Sequence, residues 1–314
     1  MIKKLILGFL SISIALMLLL AVAVAYRIHT AQAMNPEGQY FDSHGAKIHY
    51  REAGTGMPVI LVHGLAVNSG VNFDARGVTA QLVKNFRVIA LDNRGHGRSE
   101  KLYDPQAYGT EMCEDIVRLM DHLNIEKAHV LGYSMGGFIV LKLATLHPDR
   151  LLSFVICASG WTPEPEKEFQ FFEDMAATLE EGGNYRALSD RLTPIGKKVS
   201  WKNRLIMSYG LKFMNDNKAI AAALRSMPAL SVEAEALQAN TLPALAMAGD
   251  RDPLRPFTEQ MAATTTNMEI VIVPDADHMS LLRRKKAVDA IKDHLSNPGE
   301  IGRASCRERV YSGV

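Results

Sequence analysis

Short apolar, often β-branched runs recur along this chain, and several are followed by longer stretches whose apolar residues return every three to four positions. This alternation constrains the fold more than any other feature. Strands that are apolar on both faces must be covered on both faces, and parallel neighbours need a crossover long enough to hold a helix. The candidate strands are 48–51, 59–62, 87–91, 129–131, 154–157, 245–248 and 269–273, and the clearest helical runs are 112–123, Met135–Leu146 and 281–295. The expected fold class is α/β, a mostly parallel sheet flanked by helices.

One stretch interrupts the alternation. From 161 to 237 no strand pattern is found, while Phe169, Phe171, Phe172, Met175, Leu179, Trp201, Met207, Phe213 and Met214 stand among charged residues. Pro163 and Pro165 open this stretch, Gly182, Gly183 and Pro194 divide it, and Pro228 falls near its end, which suits about four helices. The expected organisation is a core over 35–160 and 238–298 with a helical cap, 161–237, inserted late in the sheet.

The two ends need separate treatment. Lys3 and Lys4 precede an uncharged apolar run over 5–25. As a helix it spans roughly 30 Å, the thickness of a bilayer core, and it exceeds the roughly 7–15 apolar residues usual in a signal peptide. An uncleaved N-terminal membrane anchor within 1–30 is expected, with cleavage at Ala21-Val22-Ala23 or Ala31-Gln32-Ala33 as the alternative. The lysines keep the N-terminus in the cytoplasm, so the remainder is expected on the exported side of the cytoplasmic membrane, or secreted or periplasmic after cleavage. Residues 299–314 show no apolar period, and 300 to about 310 reads like a translated sequencing adapter, so this tail is expected to be non-native.

Composition narrows the partners. At 314 residues, 47% apolar, the chain can bury a substantial core, and its net charge of +1 supplies no field to gather nucleic acid. A small-molecule partner is expected. Cys113, Cys157 and Cys306 lie far apart with no metal-binding or disulfide spacing, so no metal or cofactor is implied. Oligomeric state is left open.

The chemistry centres on Gly132-Tyr133-Ser134-Met135-Gly136, a G-x-S-x-G pentapeptide. Alone such a match carries little weight. Here it follows the apolar run 128–131 and opens the helical run Met135–Leu146, the strand-turn-helix setting in which a tight turn lifts a serine hydroxyl clear of a sheet. A hydroxyl is a weak nucleophile, so it needs a base within hydrogen-bond reach and an acid to orient that base. His278 follows the candidate strand 269–273 on a loop and is the expected base. Asp250 and Asp252 both follow the strand 245–248. Asp252 is the expected acid because it sits further into the loop, ahead of Pro253, leaving Asp250 to form the turn or an ion pair. The backbone amides of Leu65, after His63-Gly64, and of Met135 are the expected oxyanion hole.

Together these residues resemble the α/β-hydrolase superfamily, in its capped esterase-like branch, over roughly residues 39–296. The octapeptide DNRGHGRS at 92–99 resembles that family's turn after the fourth strand and is structural there. The resemblance implies a triad of Ser134, Asp252 and His278, an oxyanion hole at Leu65 and Met135, and hydrolysis of a small, apolar carboxylic ester through an acyl-enzyme. The same triad serves thioesters, amides, carbon-carbon bonds beside a ketone, and perhydrolysis, and a hydrolase-fold receptor is the reading from another class. Serine as the nucleophile separates the chain from the dehalogenases and epoxide hydrolases of this fold, which use a carboxylate. One departure is Asp277, where many relatives have glycine before the histidine; its carboxylate would either raise the histidine pKa or point to solvent.

Overall fold

The computed structural model describes residues 36–298 apart from residue 199. The anchor expected within 1–30 and the tail over 299–314 therefore lie outside the described residues. Among the described residues no helix is long and apolar enough to cross a bilayer.

Eight strands form one sheet: β1 (Gln39–Ser43), β2 (Ala46–Ala53), β3 (Met57–Val62), β4 (Phe86–Leu91), β5 (Ala128–Tyr133), β6 (Leu151–Cys157), β7 (Ala244–Gly249) and β8 (Met268–Val273). Their spatial order is β1-β2-β4-β3-β5-β6-β7-β8. The pairs β1/β2 and β2/β4 are antiparallel, and every other pairing is parallel. The crossovers carry helices, as parallel pairing requires: α1 (Val78–Leu82), α2 (Glu111–His122) and α3 (Met135–Leu146) join β3 through β6. Between β6 and β7 the chain makes α4 (Glu166–Glu180), α5 (Arg186–Arg191), α6 (Trp201–Met214), α7 (Asn217–Arg225) and the short α8 (Ala234–Ala239). Helix α9 (Arg255–Thr264) returns to β8, and α10 (Lys285–Ser296) closes the described chain.

The core follows from the pleat. In β3, Ile60 and Val62 face the cluster formed with α2 and α3, whereas Val59 and Leu61 face the one formed with α1 and α10; all four are fully buried. Burying each such side chain contributes about 1.5–3 kcal/mol. The insertion has a smaller core of its own, where Met175 and Leu179 of α4 meet Ile220 and Leu224 of α7 over Ala66. It is a helical cap on the sheet.

Two readings of the sequence need correction. The sheet does not begin at residue 48, because β1 precedes it, paired through a turn in which His44 and Gly45 both have positive φ (57° and 85°). Such turns match the twist of a hairpin. Only Phe41 and Ser43 of β1 face inward, so its apolar signal is too thin to detect. The helix expected over 281–295 is broken: Leu281–Arg283 form a 3-10 turn, Arg284 is extended, and α10 starts at Lys285. Leu281 and Leu282 are buried by that separate turn.

Candidate active site

Ser134 sits between β5 and α3 with φ 54° and ψ −119°, a conformation that L-residues rarely adopt and that surrounding contacts must hold. Its amide donates to the Cys157 carbonyl at 2.9 Å, and its carbonyl accepts from the Gly137 amide at 2.7 Å. The flanking glycines are required for close approach. A Cβ on Gly132 would stand 2.2 Å from the Gly136 carbonyl oxygen, and one on Gly136 would stand 2.1 Å from that of Val62.

The structure brings together the three side chains singled out from the sequence. His278, in the loop after β8, places Nε2 3.1 Å from Ser134 Oγ and Nδ1 3.1 Å from Asp252 Oδ2. With the proton on Nδ1, facing the carboxylate, Nε2 is left to accept from the serine hydroxyl. Asp252 is fully buried, and its Oδ1 also accepts from the Leu254 amide at 2.9 Å, so the carboxylate is fixed before it meets the imidazole. Asp250 instead accepts from the Ala276 amide at 3.2 Å, tying the loop after β7 to the loop after β8.

Asp277 turns away from the imidazole. Its Oδ1 accepts from the Ser280 hydroxyl and amide, at 2.8 and 2.9 Å, and from the Met279 amide at 3.1 Å. Burial pushes its pKa up, but these hydrogen bonds outweigh burial and hold the carboxyl below its ordinary value. The residue thus caps its own turn.

Leu65 and Met135 both line the cavity above Ser134. Gly64, one residue before Leu65, is held: its amide donates to Asn72 Oδ1 at 2.9 Å. The DNRGHGRS turn is structural, as its resemblance implies. Asp92 accepts from the Ser69 hydroxyl and amide and the Arg98 amide, and it faces His49 Nδ1 at 2.9 Å. Burial alone would raise its pKa, yet these partners hold it far below the carboxylate range. His63 is buried with its pKa lowered by desolvation, and its Nε2 accepts from the Asn93 amide, joining the end of β3 to this turn.

The cavity holds about 660 Å³ of atom-free space, including its open mouth. Phe138 of α3, Trp161, Phe171 and Phe172 of α4, and Phe257 of α9 make it mostly apolar, with Glu168 and Arg191 as an ion pair in its wall. Among the described residues no cluster of side chains suits a metal ion.

Three contributors were not foreseen from the sequence. Asn72 lies in a single π-helical turn, Gly70–Asp74, with no motif to mark it. Tyr133, the variable position of the pentapeptide, donates its hydroxyl to the His278 carbonyl and so pins the loop that carries the imidazole. Arg191 reaches the cavity only through the packing of α5.

The family model of the alpha/beta hydrolase fold matches residues 57–284, on both sides of the cap. A relative from Pseudomonas putida, the dihydrolipoyllysine-residue acetyltransferase component of the acetoin cleaving system, is 30% identical over 269 residues, covering 82% of this chain and 69% of its own. A thermophilic esterase from Thermogutta terrifontis superposes with a TM-score of 0.68 at 25% identity, covering 82% of this chain and 98% of that one. An enol-lactonase from Burkholderia xenovorans LB400 superposes with a TM-score of 0.69 at 25% identity, covering 82% and 100%. The family match spans most of the chain and the superpositions cover about four fifths of it, so the chain belongs to the α/β-hydrolase family.

Proposed function

We propose that the protein is a serine hydrolase that cleaves an apolar carboxylic ester through an acyl-enzyme, with Ser134, His278 and Asp252 as its triad. The observation that carries this reading is the continuous hydrogen-bonded row from Ser134 Oγ through His278 to Asp252, beneath an apolar cavity. The likeness to an esterase and a lactonase, both of which by name act on esters, supports it.

Ser134 Oγ attacks the carbonyl carbon as its proton passes to His278 Nε2. Asp252 stabilises the imidazolium through Nδ1 and keeps the ring oriented. The oxyanion forms between the amides of Leu65 and Met135, each donor worth about 3 kcal/mol in the transition state. Collapse expels the alcohol, which takes the proton from Nε2. Water, deprotonated by the same nitrogen, then releases the carboxylic acid and regenerates the serine.

A series of nitrophenyl esters tests this reading: turnover is expected, and Ser134→Ala should lower kcat by at least about 10⁴-fold. Wild-type rates in that variant would end it. We further propose that the run over 5–25 anchors the hydrolase to the exported side of the cytoplasmic membrane. Wash-resistant membrane association should disappear when residues 1–30 are deleted.

A further inference from the structure

Helix α6 presents a row of apolar side chains that the described fold leaves partly to largely exposed, from Tyr209 at 43% to Phe213 at 83%. Trp201, Leu205, Tyr209 and Phe213 recur at four-residue spacing and form one ridge, with Ile206 beside it and Ile195 just before the helix. Ile206 is 71% exposed and Trp201 69%, so the ridge belongs to no core formed by the described residues. Single exposed apolar residues are ordinary, but a continuous ridge marks a contact surface.

Charge identifies the partner. Residues 195–214 include Lys197, Lys198, Lys202, Arg204 and Lys212 and no acidic residue, although the whole chain balances 35 basic against 34 acidic side chains. Arg204 is paired with Asp190 and Lys212 with the Gly182 carbonyl, while Lys197, Lys198 and Lys202 stand exposed around the start of the ridge. A two-fold contact with its axis at the start of the ridge would set these lysines near their own mates. Anionic headgroups complement them instead, and Trp and Tyr settle at the depth where headgroups meet acyl chains. The apolar run over 5–25, read as a bilayer segment, is followed by about ten residues before the described chain begins. Extended, they reach about 35 Å, which keeps the domain close to a bilayer surface.

We infer that α6 docks on the surface of a bilayer bearing anionic lipids, its apolar ridge at the headgroup boundary and its lysines against phosphates. Helix α6 packs on α5, whose Leu188 and Arg191 line the cavity, so docking brings the cavity wall close to the lipid.

The test uses the full chain carrying Trp161→Phe, or Trp161→Tyr if the first does not fold, which leaves Trp201 as the only indole. Mixed with vesicles of phosphatidylcholine and phosphatidylglycerol, Trp201 emission should shift to the blue and be quenched by brominated acyl chains. Quenching should be several-fold weaker in phosphatidylcholine alone. It should also weaken several-fold in a Lys197→Glu, Lys198→Glu, Lys202→Glu variant that keeps its thermal midpoint. The inference is overturned if Trp201 escapes brominated lipid in phosphatidylglycerol vesicles and stays open to aqueous acrylamide. It is equally overturned if Trp201 becomes shielded without lipid as protein concentration rises, because a second copy then covers the ridge.

Discussion

The Gly64 amide donates to Asn72 Oδ1 at 2.9 Å, so the first amide after His63 is held by the protein's own side chain and not offered to a ligand. The carbonyl-binding donor proposed here therefore falls one residue on, at Leu65, on a backbone that Asn72 fixes. Asn72 is buried, and its removal strands a buried amide. Asn72→Ala is expected to lower kcat on a nitrophenyl ester about tenfold or more and to cost about 1–3 kcal/mol of stability. Asn72→Asp, which restores an acceptor, should recover part of kcat.

Ser134 is held at φ 54° and ψ −119°, a conformation that favours glycine. Ser134→Gly and Ser134→Ala should both be inactive, but the glycine variant should be the more stable by about 1 kcal/mol, because it alone relieves the backbone. Calorimetric midpoints of the two variants decide this. Equal midpoints would mean the turn carries no strain.

The two carboxylates after β7 separate by role. Asp252→Asn keeps the side chain's shape but loses the charge facing His278 Nδ1, and kcat should fall about 10³–10⁴-fold. Asp250→Asn weakens only a turn contact to the Ala276 amide and should leave kcat within a few-fold. A reversal of these effects would exchange the two assignments.

Stability should fall steadily on acidification. Burial lowers His129 and His294 to about 4 each, and their mutual repulsion adds to the shift of His294. Burial also lowers His96 to about 3, with neighbouring His63 adding to it. An unfolded histidine takes up its proton near pH 6.5, so below that pH the unfolded state binds more protons than the folded one. Stability from these groups is therefore fully present above about pH 6.5 and drains as pH falls toward 4. Unfolding midpoints measured from pH 7 to pH 4 should decline, and His294→Leu should flatten the decline. An unchanged slope in that variant would refute the assignment.

The cavity wall should set chain-length preference. Phe172 of α4 meets Phe138 of α3 edge to face at 6.3 Å, closing the cavity beneath the cap. Phe172→Ala opens room for several methylenes, and kcat/KM for long-chain relative to short-chain nitrophenyl esters should rise about tenfold. No change in that ratio would place the acyl chain elsewhere.

Much was already legible in the chain itself because it depended on local patterns. Runs such as Val59, Ile60, Leu61 and Val62, apolar at every position, require a strand covered on both faces, and the glycines around Ser134 require a turn that no Cβ could enter. Placing Asp252 and His278 in loops after late strands likewise needed only the order of elements. Tertiary structure decided what depends on packing between distant segments. Asn72 reaches Gly64, Tyr133 pins the His278 loop and Arg191 enters the cavity wall through contacts that no spacing encodes. The ridge of α6 belongs to the same class. As a sequence, Trp201 to Met214 reads as one more cap helix with apolar side chains to bury, and only the assembled fold leaves that side exposed among the described residues, because the helix meets the core of α4 and α7 through Leu211 and not through the ridge.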